Sequence, residues 1–126
     1  MSLVKLEPIC AEYATQLVEN SENTAMNDKE NVITKALGVL SENGLYSMAV
    51  FLVSCHKREY GETVLQFLCG LWAHDNIGLL NSSSNDTGAM LQSVRGLTKD
   101  LSSLIIAKKL AEQTLVFARY HAKALG

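Results

Sequence analysis

Proline is almost absent from this chain of 126 residues: the only one is Pro8. Long helices are therefore free to form, and nothing marks the rigid turns of a proline-rich linker. Cysteine is scarce, with three residues at irregular spacing, so there is no disulfide framework and a reducing cytoplasm is the expected compartment. Aromatic residues make up 6% and charged residues 19% against 48% hydrophobic, which excludes a disordered chain. Long apolar runs are also missing. Met48 to Val53 is the longest and is far too short to span a bilayer, and the opening MSLVKLEPIC lacks the apolar centre of a signal peptide. No stretch alternates convincingly between apolar and polar residues, so a β-sheet has no candidate strands.

What the chain does contain is helical rhythm. The stretch from Asp100 to Leu125 has neither Gly nor Pro and is rich in Ala, Leu and Lys. Wound at about 100° per residue, it places Leu104, Ala107, Leu110, Ala111, Leu115, Phe117, Ala118, Ala122 and Leu125 on one arc. Lys108, Lys109, Glu112, Arg119 and Lys123 fall roughly opposite. Ile105 and Val116 also lie on the polar side, which suggests that part of it is covered by another segment or chain. Small alanines let neighbouring helices approach closely while Leu and Phe fill the gaps.

The other elements follow from caps and breaks. Pro8 suits the first turn of a helix reaching about Asn20, with Ile9, Tyr13 and Leu17 on one stripe and Cys10, Ala14 and Val18 beside it. Asn20 to Thr24 is a run of polar turn formers. Asn27-Asp28-Lys29-Glu30 has the form of a capping box, opening a helix that carries Ile33, Ala36, Leu37 and Leu40 inward and stops at Asn43-Gly44. Tyr46 to Ser54 is apolar nearly all round, and a lone strand there would have no partner, so it is expected to be the central buried helix. His56-Lys57-Arg58 would mark its exposed end. Glu59 to Ala73 is amphipathic; His74 to Gly88 is turn-rich, with a mobile loop expected over Asn81 to Asp86. Met90, Val94 and Leu97 imply a short helix, and Thr98 or Asp100 caps the long one. The expected fold is all-α, a single domain over 1–126 forming a compact bundle of five or six helices with a long C-terminal helix.

Chemistry is harder to find. Cys55, Cys69, His56 and His74 are the only metal or thiol candidates, and no C-x-x-C or H-E-x-x-H spacing occurs. The carboxylate pairs Glu59/Glu62 and Asp28/Glu30 lie at expected helix N-termini, where the helix dipole accounts for them. GETVLQFLCG lacks the Lys-Ser/Thr ending of a phosphate-binding loop. A helix-turn-helix around Gly44 would present Met-Ala-Val-Phe-Leu-Val to DNA, side chains that cannot read base edges. No enzyme activity, metal or cofactor is expected.

Charge divides along the chain. Residues 1–75 carry five Lys/Arg against ten Asp/Glu, and residues 76–126 carry six against three. An acidic front and a basic back suit a module docked between unlike neighbours, or head-to-tail stacking. The basic face of the last helix can be a solvated surface or a phosphate-contacting one.

Two stretches decide the expectation. Gly44-Leu45 with Ala49, Phe51, Leu52 and Ser54, and the closing Ala107, Lys109, Ala111, Leu115, Phe117, Arg119, Ala122, Ala124 and Leu125, resemble the small α-helical subunit of type III-B (Cmr-type) CRISPR effector complexes or its equivalent in a related type III subtype. Ser41-Glu42-Asn43 stands where the family often has Pro, and Tyr120 where it has a second consecutive cation. The resemblance implies a non-catalytic subunit in antiviral defence, stacked along a multi-subunit ribonucleoprotein and helping to hold the guide RNA–target RNA duplex. On it, Lys108, Lys109, Arg119 and Lys123, with Lys57 and Arg58, are the expected nucleic-acid contacts, made to phosphates and not to bases. The alternatives are a helical adaptor that binds only protein, a small enzyme using Cys69 with His74, and a DNA-binding regulator.

Overall fold

Gly44 is where the chain turns most sharply, with φ +94° and ψ −177°, a backbone region essentially reserved for glycine. It separates two helices in a computed structural model that describes residues 3–20 and 23–126. Among these residues there are six α-helices, a short 3₁₀ turn over Leu3–Leu6 and no strand. The helices are α1 (Glu7–Glu19), α2 (Met26–Asn43), α3 (Leu45–Ser54), α4 (Arg58–Trp72), α5 (Thr87–Leu97) and α6 (Leu101–Leu125). Of the turn formers expected after α1, Ser21 and Glu22 lie outside the described residues.

The long helix is the organising element. At 25 residues α6 spans about 37 Å and packs along both α1 and α2. Ala107, Leu110, Ala111, Thr114, Leu115, Ala118 and Ala122 are its buried face. The four alanines bring the neighbouring backbones close, as their spacing predicts, whereas Leu125 stands out in solvent. Glu7 and Cys10 of α1 lie beside Lys109–Val116 of α6, and Glu19 meets His121, so the two helices run in the same direction. The start of α2 meets the end of α6, Met26 lying against Gly126.

The expected central helix forms, and Met48, Ala49, Leu52 and Val53 are buried within it. It packs on α2, α4 and α5, and only lightly on α6. The buried indole of Trp72 ties the two halves together, its Nε1–H donating to the Ala107 carbonyl at 3.2 Å. A tryptophan can be enclosed only where that N–H finds an acceptor.

Three local expectations are corrected. The capping box at Asn27 does not form: α2 begins earlier, at Met26, its N-cap is Ala25, and no side chain caps it. Lys29, second-guessed by no sequence rule, is buried. Its ammonium donates to the Val18 carbonyl at the end of α1 and sits 5.9 Å from the Tyr60 ring centroid. Tyr60 in turn donates to the Leu17 carbonyl at 3.0 Å, so two side chains satisfy the orphan carbonyls of α1. Finally, Arg58 does not trail α3 but opens α4, where its unfavourable position near the helix N-terminus is offset by an i,i+4 pair with Glu62 at 2.7 Å.

Asp86 and Asp100 behave as helix caps. Asp86 accepts from the Ala89 amide at 2.9 Å. Asp100 accepts from the Ser103 amide at 3.0 Å and hydroxyl at 2.8 Å, which holds its carboxyl below the ordinary range.

Candidate nucleic-acid interface

The outward side of α6 carries a single row: Leu101, Ile105, Lys109, Gln113, Val116, Tyr120 and Lys123. Steps of four and three residues keep such a row nearly straight along a helix. Every member is exposed, Leu101 at 70%, Tyr120 at 64%, Ile105 at 45% and Val116 at 36%. Ile105 and Val116, expected to be covered by another segment or chain, are only partly covered by the described part of this chain, Val116 by the groove against α1. Lys108 and Arg119 flank the row and are half-buried.

The six expected contact cations divide into two groups. Lys57 pairs with Asp28 at 3.4 Å, Arg58 with Glu62 at 2.7 Å and Lys123 with Glu30 at 3.9 Å. All six of these side chains retain substantial solvent access, so each pair contributes at most about 1 kcal/mol and can be exchanged for a phosphate. Lys108, Lys109 and Arg119 have no ion-pair partner among the described residues. Arg119 goes further: its Nε is buried and donates to nothing. An enclosed N–H cannot reach a phosphate, so any anionic contact falls to the terminal nitrogens of the guanidinium.

Lys57 and Arg58 lie elsewhere, at the α3–α4 corner near Asp28 of α2. The structure thus gathers four of the six residues along α6 and leaves two apart. The corner has a cavity of about 180 Å³ lined by Asp28, Lys35, Cys55 and His56. A larger groove of about 390 Å³ runs between α1 and α6, with Cys10 and Leu110 at its base and Glu7, Lys109, Gln113 and Val116 around it.

The thiol candidates are set in unreactive surroundings. Cys69 is buried in α4, and burial pushes its thiol up to about 12. Burial likewise pushes Cys10 up, with partial relief from the neighbouring Thr114 hydroxyl. His74 does not face Cys69 as a base: its Nδ1 accepts from the Asn76 amide at 3.1 Å, and its ring packs edge-on against Tyr13. Cys55 is half-buried, with its Sγ 3.6 Å from the Leu52 carbonyl. No group of three or more His, Cys, Asp or Glu among the described residues is arranged to hold a metal ion. No helix there is long and apolar enough to cross a membrane.

The full length of the exposed row is not legible from the cations alone: Tyr120 is the one aromatic interleaved among them, and Leu101 has no assigned face. The regular spacing from Leu101 to Lys123 was the available signal. Comparison with protein-family profiles, curated proteins and solved structures returns no match to this chain.

Proposed function

We propose that this protein is a non-catalytic helical subunit of a type III CRISPR RNA-guided ribonucleoprotein, holding the guide–target RNA through the cationic side of α6. The observation that carries the reading is that Lys108, Lys109 and Arg119 lie along one helix without acidic partners among the described residues. Phosphates are the natural counter-charge for such a cluster, and point-charge contacts of this kind position RNA without reading its sequence. An all-helical bundle with one long closing helix is compatible with a subunit stacked beside others, and cleavage would belong to those other subunits.

The contact is weak by itself. Three or four phosphates give a log–log salt slope of only about −2 to −3 for a single strand, so affinity must come from several copies or from partner subunits that hold the strand. The test is native purification followed by charge reversal. A short RNA of uniform length should co-purify together with larger subunits, and Arg119→Glu with Lys123→Glu should weaken target-RNA binding by the assembled complex while leaving the fold intact. Binding unchanged by the reversal across a salt titration would reject the reading.

A second reading, a protein-only adaptor, is favoured by the exposed Leu101 and Ile105, since apolar side chains in a row more often meet protein than phosphate. Partner capture that survives nuclease and high salt would select it.

A further inference from the structure

The most exposed aromatic among the described residues stands in the middle of the cationic ground. Tyr120 is 64% exposed, and neither its ring nor its hydroxyl has a partner there. Val116 lies one turn before it and Lys123 one turn after, about 6 Å and about 4.5 Å along the helix axis. Arg119 is its neighbour in sequence and has no ion-pair partner among the described residues. An open π-face, an aliphatic shelf and two cations within two helical turns are the parts of a stacking platform, on which a base lies flat while its phosphate meets a cation.

From this we infer that Tyr120 receives an unpaired nucleobase, so that α6 engages single-stranded or locally unstacked RNA in preference to a closed duplex. The inference rests on the proposed contact between α6 and RNA, and adds to it the state of the RNA. The reasoning is steric. In an A-form duplex the base faces are covered by their neighbours and the major groove is too narrow for side chains to read. A tyrosine projecting from a straight helix reaches only phosphates and 2′-hydroxyls there, and its ring gains nothing. A base turned out of the stack offers the ring a face of matching size. Glu112 flanks the row and Glu7 lies across the adjoining groove, so the strand would follow the Lys109–Lys123 line and be repelled from the α1 side. A protein ligand could also cover Tyr120, yet it would have to supply carboxylates for Lys109 and Arg119, the cations of this line without an ion-pair partner among the described residues, whereas a strand brings one charge per nucleotide.

The experiment compares two substrates at low salt: a labelled mixed-sequence RNA strand and the same strand annealed to its complement. The full chain is used as wild type, Tyr120→Ala, Tyr120→Phe and the double reversal Lys108→Glu with Lys109→Glu. Tyr120→Ala should lose about five- to tenfold on the single strand and less than about twofold on the duplex, with an unaltered salt slope. Tyr120→Phe, which keeps the ring, should bind the single strand as wild type does. The charge reversal should weaken both substrates alike and flatten the slope. Equal losses on both substrates with Tyr120→Ala, or none, would overturn the stacking assignment while the phosphate contact stands. Failure of the wild type to bind either substrate at low salt, with protein raised to about millimolar so that a contact of three or four phosphates is detected, would overturn both. Unchanged RNA binding accompanied by loss of a protein neighbour would hand the row to that neighbour and likewise overturn the assignment.

Discussion

The Cα of Gly61 on α4 lies directly against the backbone carbonyl of Leu52 on α3, so that a methyl group built on it would sit 1.8 Å from that oxygen and 3.0 Å from Cys55 Sγ. Backbone cannot yield as a flexible side-chain tip can. Gly61→Ala should therefore destabilise by about 2 kcal/mol or more, even though alanine favours a helix by about 0.5–1 kcal/mol. Gly38→Ala supplies the control. It stands in α2 with open space around its missing Cβ, and should gain about 0.5–1 kcal/mol. Urea midpoints of the two variants should move in opposite directions.

Thr114 is fully buried on α6, and its hydroxyl makes no hydrogen bond of acceptable geometry. Enclosing an unsatisfied hydroxyl costs about 1–3 kcal/mol on mutational scales. Thr114→Val has the same shape without the polar atom and is expected to stabilise by about 1 kcal/mol. Thermal unfolding would show this as a rise in Tm, and a fall would mean that the hydroxyl serves Cys10.

Alkaline pH should unfold the protein through its buried acids. Burial pushes Cys69 from 9.0 to about 12 and raises Cys10 and Tyr60 as well. Above pH 9 the unfolded chain loses these protons while the folded chain keeps them, so the folded state binds more protons and stability falls as pH rises. Lys29 has the opposite sign. Burial lowers its folded pKa, so below 10.5 the unfolded state binds more protons and the contribution rises with pH. With Tyr13, raised likewise by burial and by the neighbouring Glu12, four groups oppose one, and the net slope is downward. Cys69→Ala should remove about one proton, or 1.4 kcal/mol per pH unit, from the slope of unfolding free energy between pH 9 and 12.

Ionic strength distinguishes the two groups of cations. Lys57→Ala and Arg58→Ala remove residues already paired with Asp28 and Glu62 and remote from α6, so RNA affinity and its salt slope should scarcely change. Removing Lys108 and Lys109 together should make the log–log slope shallower by about 1.4, which filter binding across a salt series would measure.

Several helices were legible in the sequence because a residue with one job bounds them. Gly44 stops α2, Asp100 caps α6, and Pro8 sits in the first turn of α1. Amphipathic spacing then assigned the buried faces of α1, α4 and α6. Illegible were the features made by distance along the chain. Nothing local in Met26–Glu30 announces that Lys29 will be enclosed, because its acceptor is the Val18 carbonyl across a turn. For the same reason Asn27 looked like a cap: capping preference is a local statement, and the packing of α2 on α6 fixes the helix start elsewhere. The candidate interface was half legible. The cation pattern of α6 could be read, but whether each charge finds an acid depends on which helix lies opposite, as Glu30 does for Lys123.

Because α6 closes over α1 and α2, a segment made later is the lid of segments made earlier. While the ribosome is still translating, the cleft awaiting Leu110, Leu115 and the alanines is an open oily trough, attractive to chaperones and to other nascent chains. Packing of the first two helices is thus deferred until α6 has emerged. A stop codon within α6 would leave that trough uncovered and deliver the product to proteases, so it should lower cellular abundance far more than substitutions on the outward row.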